Sequence, residues 1–175
     1  MTQLNGLDLI EILALPWLAL SIWSAAAARA TRLSSNRLFG RELGSSSTNV
    51  TVHLRNNLVS GCSTHFIGGT TAWTVRDNLF ESTFLSEHYR PVANSHNAYY
   101  CVTNALSGGT SDRFLTVLDF QTGPLGSYYY PTNGPSGGLT NLLNAGSRLA
   151  SEAGLYHYTT TTNQVKETNS VVDIG

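Results

Sequence analysis

The sequence carries little charge. Only 12% of its 175 residues are charged, and the formal net charge is -1 at pH 7. Such a chain attracts phosphate backbones and anionic lipid weakly, so a nucleic-acid partner is not expected. Fingerprints of nucleotide binding are missing as well, because no P-loop or dinucleotide-binding glycine pattern occurs. No cofactor is expected.

Methionine and lysine are also scarce, with one residue of each. The polar content comes instead from Ser, Thr, Asn and 16 glycines. This mixture is typical of a β-rich extracellular protein with many turns rather than of a cytosolic helical enzyme. The length suits one domain that buries most of its apolar surface.

Charge is absent altogether from residues 12–28, an apolar run interrupted by Pro16. Acidic residues precede this run and arginines follow it, which disfavours export of the downstream chain in the usual orientation. Three interpretations are open for segment 1–44: a signal peptide ending near Ala28 or Ala30, an apolar helix that caps an open end of the domain, or a start region outside the domain. A membrane contact is expected only if residues 12–28 act as an anchor or signal.

A repeat with a period near 21 follows this segment. Residues 52–59 (VHLRNNLV) line up with residues 73–80 (WTVRDNLF), and Asn57 falls on Asn78, an offset of 78 − 57 = 21. Repetition at such a period is typical of solenoid proteins, in which each unit buries its apolar face against its neighbours. A weaker echo at residues 36–39 aligns Leu38 with Leu79, an offset of 41 and close to two periods.

The local pattern explains what one repeat builds. Alternating apolar and polar residues predict a strand with one buried face, and Asn-Asn or Asp-Asn then predicts a corner that leads into a second short strand. The sequence therefore predicts an all-β fold, a right-handed parallel β-helix with coils of about 21 residues. Equivalent side chains should stack between coils as an asparagine ladder and two apolar ladders, namely Asn57 with Asn78, Leu58 with Leu79, and Val59 with Phe80.

Coils are expected over residues 45–120, with a closing tail over residues 121–175. Within the coils, residues 87–95 are interpreted as a polar excursion, residues 96–102 as a strand, residues 107–112 as a turn and residues 114–120 as the clearest strand. In the tail, Tyr128, Tyr129, Tyr130, Leu142, Leu143 and Leu155 are expected to cover the end of the last coil's apolar core.

The two cysteines indicate no metal site. Cys62 and Cys101 lack Cys-x-x-Cys spacing, and no His-x-x-x-His accompanies them. With coils of about 21 residues they lie roughly two coils apart, about 9 to 10 Å of rise, which is too far for a disulfide unless a loop intervenes. Two small buried thiols are the favoured interpretation.

Three separated motifs carry a resemblance to a known family. Residues 77–80 (DNLF), 142–147 (LLNAGS) and 172–175 (VDIG) occur in the order seen in right-handed β-helix modules near the ends of large secreted or surface proteins of environmental bacteria, some of them adjoining Rhs/YD-type repeats. The resemblance covers roughly residues 50–175 and implies a repeat scaffold. The aromatic continuation after VDIG is missing and few coils precede the match, so the chain is expected to be part of a longer module.

Catalytic candidates are weak. Many β-helix proteins cleave polysaccharides with acids, and Asp77 and Glu81 are near enough in sequence to act as a carboxylate pair. Asp77, however, takes the corner position of Asn56 in the preceding repeat, which explains it without chemistry. Residues 87–90 (Glu87, His88, Tyr89 and Arg90) form a titratable cluster and are the binding candidates, against the plainer interpretation of a solvated loop.

The sequence as a whole favours a non-catalytic structural or binding module of an extracellular or cell-surface bacterial protein. Its expected partner is a polysaccharide or a cell-surface component, and self-association through an exposed coil end is a further expectation. The alternative is a carbohydrate-active enzyme, a polysaccharide lyase or glycoside hydrolase, or a fragment of one. An enzyme requires acidic or basic groups converging on one groove, whereas a scaffold shows them scattered.

Overall fold

The computed structural model describes residues 10–11, 21–22, 29–34, 37–39, 42–45, 50–67, 72–88, 92–124, 126–155, 161–163 and 165–175. Strands dominate these residues and the fold is all-β. The helical elements are a short 3-10 helix (Leu139–Leu142) and α1 (Ala150–Ala153). Side chains are described from residue 51 onward, with the exception of Ile67 and His88.

Most strands belong to three short parallel sheets. Sheet 1 contains, in spatial order, β1 (Ile10–Glu11), β3 (Arg29–Ser34), β6 (Val50–Arg55), β9 (Ala72–Arg76) and β12 (Ala93–Ser95). Sheet 2 contains β4 (Arg37–Phe39), β7 (Leu58–Ser60), β10 (Leu79–Glu81), β13 (Ala98–Tyr100) and β14 (Arg113–Phe114). Sheet 3 contains β2 (Ser21–Ile22), β5 (Glu42–Ser45), β8 (Ser63–Ile67) and β11 (Phe84–His88). An antiparallel hairpin follows, β15 (Gln121–Gly123) and β16 (Gly126–Tyr129).

Consecutive strands visit the three sheets in turn. β6, β7 and β8 form one such set, which we call a layer, and β9, β10 and β11 form the next. Paired residues of these two layers lie 21 apart in every sheet, as in Leu58 with Leu79 (79 − 58 = 21). The interval then shortens to 19 between Leu79 and Ala98 and to 15 between Ala98 and Arg113.

The upstream strands join the same sheets. Thr31 pairs with Val52, so strand pairing connects the N-terminal segment 1–44 with the predicted coils at residues 45–120. Leu38 pairs with Val59 rather than with Leu58, so the predicted alignment of Leu38 with Leu79 is wrong by one residue. In the apolar run 12–28, Ser21–Ile22 is extended and pairs with β5, so these two residues are not helical; the other residues of the run lie outside the described part of the chain. No helix among the described residues is long and apolar enough to span a membrane.

Corner residues with left-handed backbone repeat from layer to layer. Between sheets 1 and 2 they are Asn56 (φ 51°), Asp77 (φ 61°) and His96 (φ 54°). Between sheets 2 and 3 they are Gly61 (φ 60°), Ser82 (φ 47°) and Cys101 (φ 50°). Asn, Asp and Gly tolerate this conformation best, which explains the Asn-Asn and Asp-Asn pairs in the repeat.

Neighbouring residues of a strand point to opposite sides, and the three middle strands of sheet 2 (β7, β10 and β13) bury residues on both faces. Val59, Phe80 and Tyr99 point into an apolar core enclosed by the layers, where the rings of Phe80 and Tyr99 stack with centroids 5.7 Å apart. On the other face, a second apolar cluster joins Leu58, Leu79 and Ala98 to the tail residues Tyr130, Leu139, Leu142 and Ile174.

The tail therefore lies along the outer face of sheet 2. The prediction that it covers the end of the stack is wrong. Leu142 and Tyr130 pack on that outer face, with Tyr128 and Leu143 partly buried beside them. Leu155 packs instead with Ala150, Ala153 and Val172 in a separate small cluster. The outer stripe of Leu58, Leu79 and Ala98 needs a cover of its own, and this requirement determines where the tail lies.

Four further sequence interpretations are wrong. Of residues 87–95, those that are described lie mostly in strands, since β11 ends at His88 and β12 is Ala93–Ser95. In residues 96–102 only Ala98–Tyr100 is a strand, because His96 is a corner. In residues 114–120 only Phe114 belongs to a strand; the N–H of Leu115 still bonds Tyr99, but that of Thr116 already donates to Gly137 in the tail. Cys62 and Cys101 form no disulfide, and Cys101 is exposed rather than buried.

Candidate functional site

The three motifs that carry the family resemblance meet at one place. The carboxylate of Asp77, at the corner between β9 and β10, accepts hydrogen bonds from the backbone N–H (2.6 Å) and the hydroxyl (2.8 Å) of Ser147. The backbone N–H of Gly175 donates to the carbonyl of Asp77 at 2.9 Å. Residues 77–80, 142–147 and 172–175 therefore form one contact region although they are far apart in the chain.

Arg148 and the preceding corner complete this region. Arg148 lies 3.7 Å from a carboxylate oxygen of Asp77 and donates to the side-chain oxygen of Asn56 at 2.7 Å. The Asn56 amide donates in turn to the backbone carbonyl of Asp173 at 3.1 Å. We call the set Asn56, Asp77, Ser147, Arg148 and Asp173 the clasp, because it joins the corners of two successive layers to the tail.

The clasp requires a glycine at position 146. The N–H of Gly146 donates to Val172 at 2.8 Å, and a Cβ at this position would lie 2.6 Å from the same carbonyl oxygen. Tyr130 adds a further tie by donating its hydroxyl to the carbonyl of Ile174 at 2.6 Å. The motif 142–147 thus combines a close backbone approach with the hydroxyl that binds Asp77.

The structure does not bring Asp77 and Glu81 together as a catalytic pair. Asp77 is fully buried, and its carboxylate is occupied by Ser147 and Arg148. Glu81 is half-buried on β10 in register with Tyr100. The thiol of the neighbouring Cys101, and to a lesser degree Glu81, raises the pKa of Tyr100.

The predicted binding cluster 87–90 is only partly described. Glu87 holds the following loop in place, since one carboxylate oxygen accepts from the N–H of Ser107 (3.0 Å) and the other from that of Val92 (3.4 Å). The backbone of His88 pairs with Ile67 in sheet 3. Tyr89 and Arg90 lie outside the described residues.

The ladder positions are in register and continue beyond the two predicted layers. Leu58 pairs with Leu79 and Val59 with Phe80. The oxygen of Asn78 accepts from the side-chain amide (2.9 Å) and the backbone N–H (3.1 Å) of Asn57, and the oxygen of Asn97 accepts from the corresponding groups of Asn78, both at 3.1 Å.

Asp112 ends this ladder. Its carboxylate accepts from the N–H of Asn97 at 2.9 Å and from the hydroxyl of Tyr99 at 3.1 Å. Burial raises the pKa of Asp112, and burial together with the nearby Asp112 charge raises the pKa of the Tyr99 phenol. Sequence reasoning missed Asn97 and Asp112 as ladder residues. The signal was present in His96-Asn97-Ala98-Tyr99, which repeats the corner, Asn and two-apolar order of residues 77–80.

One aromatic side chain stands out on the surface. Phe114 is 68% exposed at the open side of sheet 2, and its ring stacks on Tyr99 with centroids 5.3 Å apart. A cleft of about 340 Å³ beside it is lined by Arg113, Phe114, Leu115 and Asn141. Among the described residues, no three His, Cys, Asp or Glu side chains are grouped so as to hold a metal ion.

Comparison of the chain with protein-family models, curated proteins and solved structures finds no match.

Proposed function

We propose that the chain is the closing part of a right-handed parallel β-helix and serves as a non-catalytic structural and binding module of an extracellular bacterial protein, in contact with a polysaccharide or cell surface. The observation that carries this proposal is the clasp. It uses a buried ion pair and the three separated motifs to hold a tail against the corners of two layers. This arrangement stabilises a scaffold and leaves its acidic group without access to a substrate.

The order of the strands supports the β-helix. The chain passes through sheets 1, 2 and 3 in turn and returns to sheet 1 after 21 residues at β9 and after 19 at β12, with parallel pairing each time. Parallel strands of one sheet that are joined by a crossover connection are right-handed in about 98% of cases. This general preference supports a right-handed coil.

The placement of the acidic residues favours a scaffold over the alternative of a carbohydrate-active enzyme. A glycosidase separates two accessible carboxylates by roughly 5 to 10 Å. Here Asp77 lies in the clasp, Glu87 binds loop N–H groups and Asp112 ends the ladder. We expect purified protein to release no reducing ends or unsaturated products from plant or bacterial polysaccharides, yet to co-sediment with at least one insoluble polysaccharide. Turnover that is lost in Asp77→Asn or Glu81→Gln would establish the enzyme instead.

The coil itself can be tested by cross-linking. In a Cys101→Ser background, pairs of cysteines are introduced 21 residues apart, one pair in each sheet: Thr51→Cys with Ala72→Cys, Ser60→Cys with Glu81→Cys, and Ser63→Cys with Phe84→Cys. Adjacent strands lie about 4.8 Å apart, within reach of a disulfide, so all three pairs should oxidise readily.

The matched control shifts one partner by two residues, as in Thr51→Cys with Thr74→Cys. This displacement puts the Cα atoms about 8 Å apart, beyond disulfide reach. Mass spectrometry after mild oxidation should find cross-links in the three register pairs and none in the control. A sheet in which the register pair fails, or in which the control cross-links equally well, would contradict the β-helix.

A further inference from the structure

The outer edge of β14 is not paired with another strand of the described chain, and it carries the exposed ring of Phe114. The N–H groups of Arg113 and Leu115 both point back to the preceding strand, where they donate to Asn97 and Tyr99 at 2.8 Å. Because successive peptide groups of a strand point to opposite sides, the N–H and C=O of Phe114 point away from it. No strand of the described chain pairs with β14 on that side.

The aromatic stack ends at the same place. Phe80, Tyr99 and Phe114 are stacked in successive layers, with centroid separations of 5.7 and 5.3 Å. One face of the Phe114 ring lies against Tyr99, and the side chain remains 68% exposed. Among the described residues no further ring continues this stack, because the N–H of Thr116 donates to Gly137 and the backbone continues into the tail.

The groups around this ring indicate the chemistry of a ligand. The cleft beside it is lined by Phe114, Leu115, the guanidinium-bearing Arg113 and the amide-bearing Asn141. Its volume of about 340 Å³ lies at the lower end of the range for small-ligand sites, roughly 300–1,000 Å³. An aromatic face with hydrogen-bonding groups at its rim matches a pyranose ring, which has an apolar face and a polar edge.

The charge at this site selects among sugars. Arg113 is exposed, and no carboxylate among the described residues forms an ion pair with it. A guanidinium without a carboxylate partner favours a ligand that brings its own carboxylate, because the two pair through charge-assisted hydrogen bonds. From this geometry we infer that the cleft at the end of sheet 2 binds a uronic-acid residue of an oligosaccharide, stacked on Phe114 and paired with Arg113. The inference rests on the proposed contact with polysaccharide and names its site and ligand class.

The test uses two probes that differ only in charge: an oligogalacturonate of four residues and its methyl ester. Calorimetric titration of the full chain should show binding of the acid and at least threefold weaker binding of the ester. Phe114→Ala should weaken binding of the acid at least fivefold, since it removes the stacking surface. Arg113→Gln should abolish the preference for the acid over the ester and reduce the dependence of affinity on salt.

The matched control is Phe84→Ala, which removes another exposed phenylalanine, 39% exposed, from β11 in sheet 3. Its affinity for the acid should equal that of the unmodified protein. Equal affinity of Phe114→Ala, or absence of binding to both probes, would overturn the inference. Dimerisation that depends on Phe114, without saccharide binding, would also overturn it and assign the edge to a second copy. These results do not affect the cross-linking and turnover tests, so the inference can fail while the proposed function stands.

Discussion

The layers and the tail are held by contacts of different kinds. Between layers, equivalent residues pair 15 to 21 positions apart, and the same backbone and amide bonds recur from one layer to the next. In the tail, single side chains form the ties, and the partners are 70, 92 and 117 residues apart. A defect in a layer should therefore affect its neighbours on both sides, whereas a defect in the clasp should release the tail first.

The largest effect is expected from Phe80→Ala. Phe80 is fully buried in the layer core and stacks on Tyr99, so truncation leaves a cavity in the middle of the stack. The free energy of unfolding should fall by about 3–5 kcal/mol, and the layers and tail should unfold together. Denaturant unfolding is followed by circular dichroism and by tyrosine fluorescence, and the two unfolding transitions should coincide.

Phe114→Ala is the control from the same aromatic stack. Because Phe114 is largely exposed, its truncation should cost less than about 1 kcal/mol. Equal losses for the two variants would contradict the view that the stack is buried at Phe80 and open at Phe114.

A smaller and more local effect is expected from Asp77→Asn. Asparagine suits the left-handed backbone at this corner, as Asn56 does in the preceding layer, so the change mainly removes the charge. Arg148 then loses its ion-pair partner in a mostly buried position while keeping its hydrogen bond to Asn56, at a cost of roughly 3 kcal/mol. Hydrogen exchange monitored by mass spectrometry should accelerate in residues 142–155 and 170–175 more than in β7 and β10.

Glu81→Gln is the matched control for Asp77→Asn, because it removes a carboxylate from the same layer outside the clasp. Its exchange pattern should equal that of the unmodified protein. Uniform acceleration across layers and tail in Asp77→Asn would show that the clasp stabilises the whole stack rather than the tail.

The smallest effect is a pH dependence confined to the tail. Burial, together with the charge of Asp173, raises the pKa of Glu167 from 4.5 to about 7, while a hydrogen bond from Ser170 opposes the shift. Since the folded-state pKa is raised, the stabilisation is complete below about pH 4.5 and is lost as the pH rises through about 7. Tail amides should therefore exchange faster at pH 8.5 than at pH 5.5, after correction for intrinsic rates.

Glu167→Gln should remove this difference, because the amide stays neutral and can still donate to Asp173. The control Glu152→Gln changes an exposed carboxylate on α1 and should keep the pH dependence of the unmodified protein. A tail whose protection stays constant between the two pH values in the unmodified protein would contradict the role assigned to Glu167.

The part of the fold that sequence could predict is the part that repeats. Asn57 and Asn78 can be identified from the sequence because the corner residue and the interval of 21 both recur. The same interval gives the strand register, such as Leu58 paired with Leu79. Asn97 and Asp112 escape the same search because the interval shortens to 19 and then 15 as connecting segments are lost. Local pattern detects a corner, but the number of residues between corners depends on loops that leave no periodic trace.

The clasp and the end of the stack depend on information that local pattern lacks. The motifs at residues 142–147 and 172–175 are visible in the sequence, yet nothing local shows that their partners are Asn56 and Asp77. Residues 114–120 alternate like a strand, but without a further layer to pair with, their apolar side chains Leu118 and Phe120 pack on the tail cluster instead. Whether these residues form a strand therefore depends on a neighbouring strand to pair with more than on their β-propensity.

The ladder of amides has a direction, and its final residue uses that direction chemically. Asn57 donates to Asn78, and Asn78 donates in turn to Asn97, so the side-chain amide bonds all run in the same direction along the stack. A carboxylate has oxygens but no N–H, so the Asp112 side chain accepts a hydrogen bond from Asn97 and cannot donate one to a further residue. The replacement of an amide nitrogen by a carboxylate oxygen at this one position therefore ends the asparagine ladder at Asp112.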